Sequence, residues 1–269
     1  MKYADRMRVD DDPSGAGPQP TASQGSDEPA VEESAHLPLA QRIVALIEVL
    51  LCSDYPTQAA LAATFAALGY GPYGANGDLR VGFVLALSLL DTALLVGLMV
   101  FFLYAHGERP RDVFLGRRLV SHEARYGLPL IFVALLIGII ILATIQQYFP
   151  SLHTVEKNPL QALIRTPRDA WLFALVVVVA GGVREELQRA FLLHRFEVWL
   201  GGATVGVAIA SLSFGAGHLI QGVDAAIATG TLGAFWGIVY LRRRSVVAPV
   251  VSHSGFNLLQ IVQFLATGR

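Results

Sequence analysis

The chain has 269 residues, of which 54% are hydrophobic and 15% charged, with a formal net charge of −1. Soluble domains carry nearer 25% charged residues, so this is the composition of a multi-span membrane protein, and the charge balance gives no sign of a nucleic-acid partner. A single cysteine, Cys52, excludes an internal disulfide and a metal–thiolate cluster.

Residues 1–36 are rich in Asp, Glu, Ser, Pro and Gly, with no apolar core of the kind a signal peptide needs. They are expected to form a disordered acidic tail on the cytoplasmic side, followed by one membrane-embedded helical domain over 37–269. Apolar runs then recur at 40–52, 57–70, 81–105, 128–149, 170–183, 199–217, 223–241 and 246–266. A spanning helix needs about 20 residues; the runs at 81–105, 128–149, 223–241 and 246–266 meet that outright. Asp54 and Pro56 break the first two runs, giving either an interfacial helix plus a short span or one kinked span. The run at 170–183 spans only if it continues through a charged stretch to about Phe196. The expectation is an all-α polytopic bundle of seven to eight membrane helices.

Arg109, Arg111, Arg117, Arg118 and Arg125 follow the 81–105 run, and Arg242, Arg243 and Arg244 follow the 223–241 run. Positive loops face the cytoplasm, so both clusters are expected there, with the N-terminus. SHEARY at 121–126 opens like a zinc-protease helix, but Tyr126 stands where the second His belongs, and it reads as a charged loop. Gly202–Gly206 and Gly233–Gly237 are small-xxx-small pairs suited to helix packing. Asp91, inside an apolar run, reads as a buried hydrogen-bonding group.

Charge interrupts the fifth run: Arg184, Glu185, Glu186 and Arg189 lie between two apolar stretches, although a charged residue at a helix centre costs roughly 2.5–3.5 kcal/mol on the insertion scale. On a helix Glu185 can reach Arg189 at i+4 and Glu186 can reach it at i+3. Two further clusters occur on other helices: Phe214 with His218, and His253 with Asn257. Each has a plainer reading, as an ion pair that holds helices together or an interhelical donor. Jointly, two imidazoles, two carboxylates, an amide and a guanidinium make up the inventory of a hydrolytic site.

Peptide hydrolysis needs an activated water, a proton donor for the leaving amine and donors to the oxyanion. A carboxylate beside His218 can hold and deprotonate water, Asn257 and His253 can serve the oxyanion, and Arg189 can keep one Glu ionised. Alternatively, two His and one carboxylate with an open water position form an ordinary catalytic zinc shell. In that scheme Glu185, His218 and His253 are the ligands of one divalent ion such as Zn²⁺. A straight helix from Trp199 would carry His218 about 27 Å along its axis, too far to join the others; a short or tilted helix, or one starting beyond Gly202, removes that conflict.

EELQR at 185–189, FGAGH at 214–218 and HSGFN at 253–257 together resemble the CAAX protease and bacteriocin-processing (CPBP, or abortive-infection) family of intramembrane endopeptidases. That family includes the type II CAAX prenyl endopeptidases. The resemblance covers roughly 170–262. It implies a metalloprotease-like endopeptidase with Glu185, Glu186, Arg189, His218, His253 and Asn257 at the site, set in a multi-pass cell-membrane protein. Membrane lipids and a peptide or protein substrate, lipidated in some relatives, are the implied partners. The family usually spaces its first motif EExxxR, and this chain has EExxR. Aligning on the carboxylates retains both and makes Glu185 the first, whereas aligning on Arg189 makes Glu185 the second and puts Arg184 in the first place. The alternative is a catalytically silent scaffold or immunity protein of the same fold; a solute transporter would show paired broken helices, which this sequence lacks.

Overall fold

The computed structural model describes residues 39–267 except 75, 76, 78, 157, 161 and 162; the acidic stretch 1–36 lies outside them. The described residues are all-α: α1 (Leu39–Leu51), α2 (Tyr55–Ala67), α3 (Val81–Ala105), the short α4 (Pro110–Phe114), α5 (Val120–Tyr148), α6 (Pro167–Val176), α7 (Glu185–Trp199), α8 (Ala203–Gly217), α9 (Val223–Arg243) and α10 (Val247–Thr267). This is a multi-pass membrane protein. Helices α3, α5 and α9 are each long and apolar enough to cross a bilayer, and α1 with α2 qualifies as one broken span bent by 47°. Helix α10 matches them in length, with 21 residues, but Ser252, His253, Ser254, Asn257 and Gln260 leave it less apolar than the sequence run promised.

At the α1–α2 break Asp54 takes φ 82°, a left-handed conformation rare for residues other than Gly, Asn and Asp. Such a conformation costs of order 1–3 kcal/mol. Asp54 stands at the N-cap of α2 but makes no capping hydrogen bond there; its carboxylate is directed elsewhere.

The run at 170–183 does continue through the charged stretch. Thr166 starts α6 with a capping box: its hydroxyl accepts from the Asp169 amide at 3.2 Å, and Asp169 accepts from the Thr166 amide at 2.9 Å. The rod then passes through π-helical turns at Val177–Arg184 before α7. Two features of the sequence favour the wider turns. Successive β-branched valines crowd a tight helical turn, and Gly181 and Gly182 offer no side chain where α10 comes closest. A Cβ at Gly182 would lie 1.9 Å from Ser254 Oγ, and one at Gly181 would lie 2.9 Å from Asn257 Nδ2.

After α7 the chain reverses through Gly201 (φ 102°) and Gly202 (φ 95°), and α8 starts at Ala203. The late start leaves His218 at the C-terminal end of a 15-residue helix, which removes the distance conflict in the sequence. One glycine of each small-residue pair packs closely, whereas Gly202 lies in the turn before α8 with nothing within 4 Å of an added Cβ. A Cβ on Gly206 would lie 2.7 Å from Phe196 Cβ, and one on Gly233 would lie 2.9 Å from the Phe214 ring. Leu95, Met99 and Leu103 of α3 meet Phe191, Leu193 and Phe196 of α7 in the main apolar core. Apolar side chains such as Phe132, Ile139 and Leu212 point outward at 69%, 63% and 75% exposure, the surface a bilayer would cover.

Two ionic clusters tie one end of the bundle. Arg118 donates to the Arg243 carbonyl at 3.2 Å, and the Val246 amide donates to the Phe114 carbonyl at 2.8 Å, so the two Arg-rich segments share that end. SHEARY is not a loop. It forms the first turns of α5, and Glu123 there is fully buried, accepting from Arg243 at 2.5 and 3.0 Å. The partner comes from the far end of α9, so local sequence could not show that this charge is neutralised. Nearby, Arg195 joins Glu48 at 2.6 Å to Glu108 at 2.5 Å, and His106 and His194 complete the chain at 2.7 and 2.5 Å. On the opposite end His153 meets Asp224 at 2.7 Å, fixing the start of α9.

Candidate active site

Three elements converge inside the bundle. Helix α7 opens with Glu185 and Glu186, α8 ends at His218, and α10 carries His253 and Asn257. Glu186 is the buried hub. One carboxylate oxygen takes the Arg189 guanidinium and, at 2.8 Å, the Nδ1–H of His253. Arg189 therefore uses the i+3 carboxylate, and its guanidinium also lies over the Phe214 ring at 4.8 Å and 5.8 Å from the Trp236 ring. The His253 ring stacks on Trp236 with centroids 3.8 Å apart and planes 15° from parallel. Trp236 in turn donates to Ser252 Oγ at 3.1 Å, so the imidazole is held on its edge and on its face.

That arrangement aims His253 Nε2 at Glu185 Oε2, 3.8 Å away. The distance is beyond hydrogen-bond length, so both atoms remain open to a third group. Glu185 borders a cavity of about 250 Å³ whose wall includes Asp54, Tyr55, Arg184, Arg189 and His218. His218 donates from Nδ1 to the Phe214 carbonyl at 2.8 Å. A carbonyl only accepts, so Nδ1 carries the proton and Nε2 of the neutral ring is an acceptor. Its ring also contacts Phe214 edge-on at 4.7 Å.

The sequence-derived residues thus fall into layers. Glu185, Arg189 and His218 line the cavity, Glu186 and His253 are buried at 1% and 4% exposure, and Asn257 lies beside the π-helical turns. Its amide donates to the Val177 carbonyl at 3.4 Å, an acceptor that the altered helix geometry presents to α10. Among the described residues no three His, Cys, Asp or Glu side chains are grouped so as to hold a metal ion. The sequence reading missed Trp236, whose ring is the platform for His253, and gave Arg184 no role. The AFWG run beside the Gly233–Gly237 pair was the available sign for Trp236.

With this geometry in view, the comparison with protein families is specific. Residues 167–259 match the family model described as type II CAAX prenyl endopeptidase Rce1-like. This segment is similar to that family. The match runs from the first turn of α6 past Asn257, takes in all three motif clusters, and is consistent with the CPBP resemblance. Neither the curated proteins nor the solved structures gave a match. The matched segment holds each of the six motif residues described above, while Asp54 in the α1–α2 break, Tyr55 of α2 and Asp91 of α3 come from outside it.

Proposed function

We propose that the chain is an intramembrane endopeptidase that hydrolyses a peptide bond at Glu185. The observation that carries this reading is the open pair of Glu185 Oε2 and His253 Nε2 at 3.8 Å, beside a cavity that His218 also lines. A water between Glu185 and the acceptor Nε2 of His218 is polarised by both. Glu185 takes its proton as the oxygen adds to the scissile carbonyl carbon. His253, as imidazolium, keeps its Nδ1–H on Glu186 and donates its Nε2–H to the oxyanion, with the Asn257 amide as a second donor. Collapse of the tetrahedral intermediate breaks the C–N bond, and the proton held by Glu185 passes to the departing amine. Arg189 keeps Glu186 ionised, and Glu186 keeps His253 aimed.

The Rce1-like match supports a prenylated C-terminal peptide as the substrate, with its lipid in the surrounding bilayer. Detergent-purified protein is incubated with a quenched fluorescent peptide ending in a prenylated CAAX sequence, and with an unprenylated peptide library. Cleavage lost in Glu185→Gln supports the reading. Intact probes after incubation with well-folded protein, together with an unchanged cellular phenotype for Glu185→Gln, would leave the scaffold reading in its place.

A further inference from the structure

Arg184 is buried at 6% exposure among three carboxylates from three different elements. Its Nη1 lies 2.8 Å from Asp54 Oδ2 and 3.9 Å from Asp91 Oδ2, and its Nη2 lies 3.5 Å from Glu185 Oε1. Gln58 donates to the same Asp54 oxygen at 2.6 Å. The backbone at Asp54 is bent into the left-handed region, and its carboxylate forgoes the capping of α2; both features make sense if its role is to meet Arg184. One oxygen on each aspartate, Asp54 Oδ1 and Asp91 Oδ1, is buried with no donor. Buried carboxylate oxygens seldom stay unsatisfied, and both aspartates turn their other oxygen to the same Arg184 Nη1. A single proton held between them satisfies both.

We infer that Asp54, Asp91 and Arg184 form a positioning clamp for Glu185, in which the two aspartates share one proton and Arg184 holds the Glu185 carboxylate in the orientation that faces His253. The inference rests on the reading of Glu185 as the base. The charges then sum simply. Asp91 with the shared proton is neutral, Arg184 balances Asp54, and Glu185 keeps its own negative charge for the water. The clamp also couples chemistry to the α1–α2 break, because Gln188, one turn along from Arg184, donates to the Cys52 carbonyl at 2.8 Å, and Tyr55 donates to the Ser213 carbonyl at 2.8 Å. The cavity wall is thereby tied to α7 on one side and α8 on the other.

Two measurements test the clamp. In cleavage of the prenylated CAAX peptide, Asp54→Asn and Arg184→Lys are expected to lower kcat roughly 10–100-fold in the folded fraction, the usual scale for residues that orient a catalytic group, with KM within about twofold. Asp91→Asn is expected to lose about tenfold less than Asp54→Asn, because an amide can supply the donor that the shared proton supplied, and the double variant is expected to lose more than the two single losses combined. Wild-type kcat in well-folded Asp54→Asn and Arg184→Lys overturns the clamp while leaving the base reading standing, provided Glu185→Gln is dead. An active Glu185→Gln removes the base reading itself. The second measurement needs no turnover: the infrared difference spectrum between wild type and Asp91→Asn at neutral pH is expected to show the carbonyl band of a protonated carboxyl. Absence of that band overturns the shared proton.

Discussion

His253 Nδ1 lies 2.8 Å from the Glu186 oxygen that also takes Arg189, so the second carboxylate of the pair is occupied and the first is open. The two should respond differently to the same change. Glu185→Gln keeps shape and removes the base, and an expected loss of about 10²–10⁴-fold in kcat accompanies normal folded yield. Glu186→Gln leaves Arg189 without its ionic partner inside the bundle, where breaking a buried pair costs about 3–5 kcal/mol. Its yield and melting temperature should fall along with activity. Rates and size-exclusion profiles of the two variants, measured side by side, decide the matter. A dead but unfolded Glu185→Gln with a dead, well-folded Glu186→Gln would move the base to Glu186.

Gly182 is where the π-helical turns touch α10. An added Cβ would lie 1.9 Å from Ser254 Oγ and 3.2 Å from Ser254 Cα, so backbone as well as side chain must move. Gly182→Ala is expected to lower stability by about 1–3 kcal/mol, the usual cost of overpacking. It should also reduce cleavage by drawing His253 away from Glu186. Gly97→Ala in α3, which has nothing within 4 Å of the added atom, is the control. Equal melting temperatures for the two variants would show that α10 does not pack on the π turns as described.

The shared end of the two Arg-rich segments gives a topology test. Cysteines placed at Arg117 and Arg242 are expected to be shielded from a membrane-impermeant thiol reagent in intact cells, and cysteines at Ser151 and Thr166 to react. Cys52, fully buried, should stay silent. The opposite labelling pattern would turn the protein over in the bilayer.

Glu108, between α3 and α4, carries a pH dependence. Burial pushes its carboxyl up, but hydrogen bonds from His194 and Arg195 outweigh burial and hold it down from 4.5 to about 2. A carboxyl with a depressed folded-state value stabilises the fold fully above its unfolded value and loses that contribution as pH falls. Thermal stability is therefore expected to decline between pH 4.5 and about 2, with a shallower decline in Glu108→Gln. Identical pH profiles would remove this ion cluster as a contributor.

Metal dependence can be measured directly. Glu185, His218 and His253 were the ligand set suggested by residue type, and the hydrolytic steps proposed here use these side chains without a metal. Metal content of active protein, and cleavage before and after chelation, separate the schemes. Stoichiometric zinc lost with activity in His218→Ala would require the site to be rebuilt around the ion.

The sequence carried the site's inventory further than its architecture. Helical spacing put both Glu185 and Glu186 within reach of Arg189, of which the structure uses Glu186, and three motifs named residues that lie on converging helices. What it lacked were relationships set by distant packing. Glu123 looked like a loop carboxylate because its partner, Arg243, is 120 residues away. Arg184 looked like a neighbour of the motif, although its anchors, Asp54 and Asp91, come from elements before α4. The π-helical turns were equally hidden, since a run of valines and glycines is compatible with ordinary helix until α10 is packed against it.

Those turns have a consequence for how the helix tolerates changes in length. In a regular α-helix, deleting one residue rotates everything beyond it by about 100°. In the Val177–Arg184 segment, loss of one residue can instead tighten the wide turns to ordinary helix. Glu186 is locked to His253 of α10, whereas α6 presents residues such as Trp171, 79% exposed, to the outside. A one-residue deletion here would be taken up within the wide turns, so that α6 keeps its lipid-facing side while Glu185 and Glu186 keep their places.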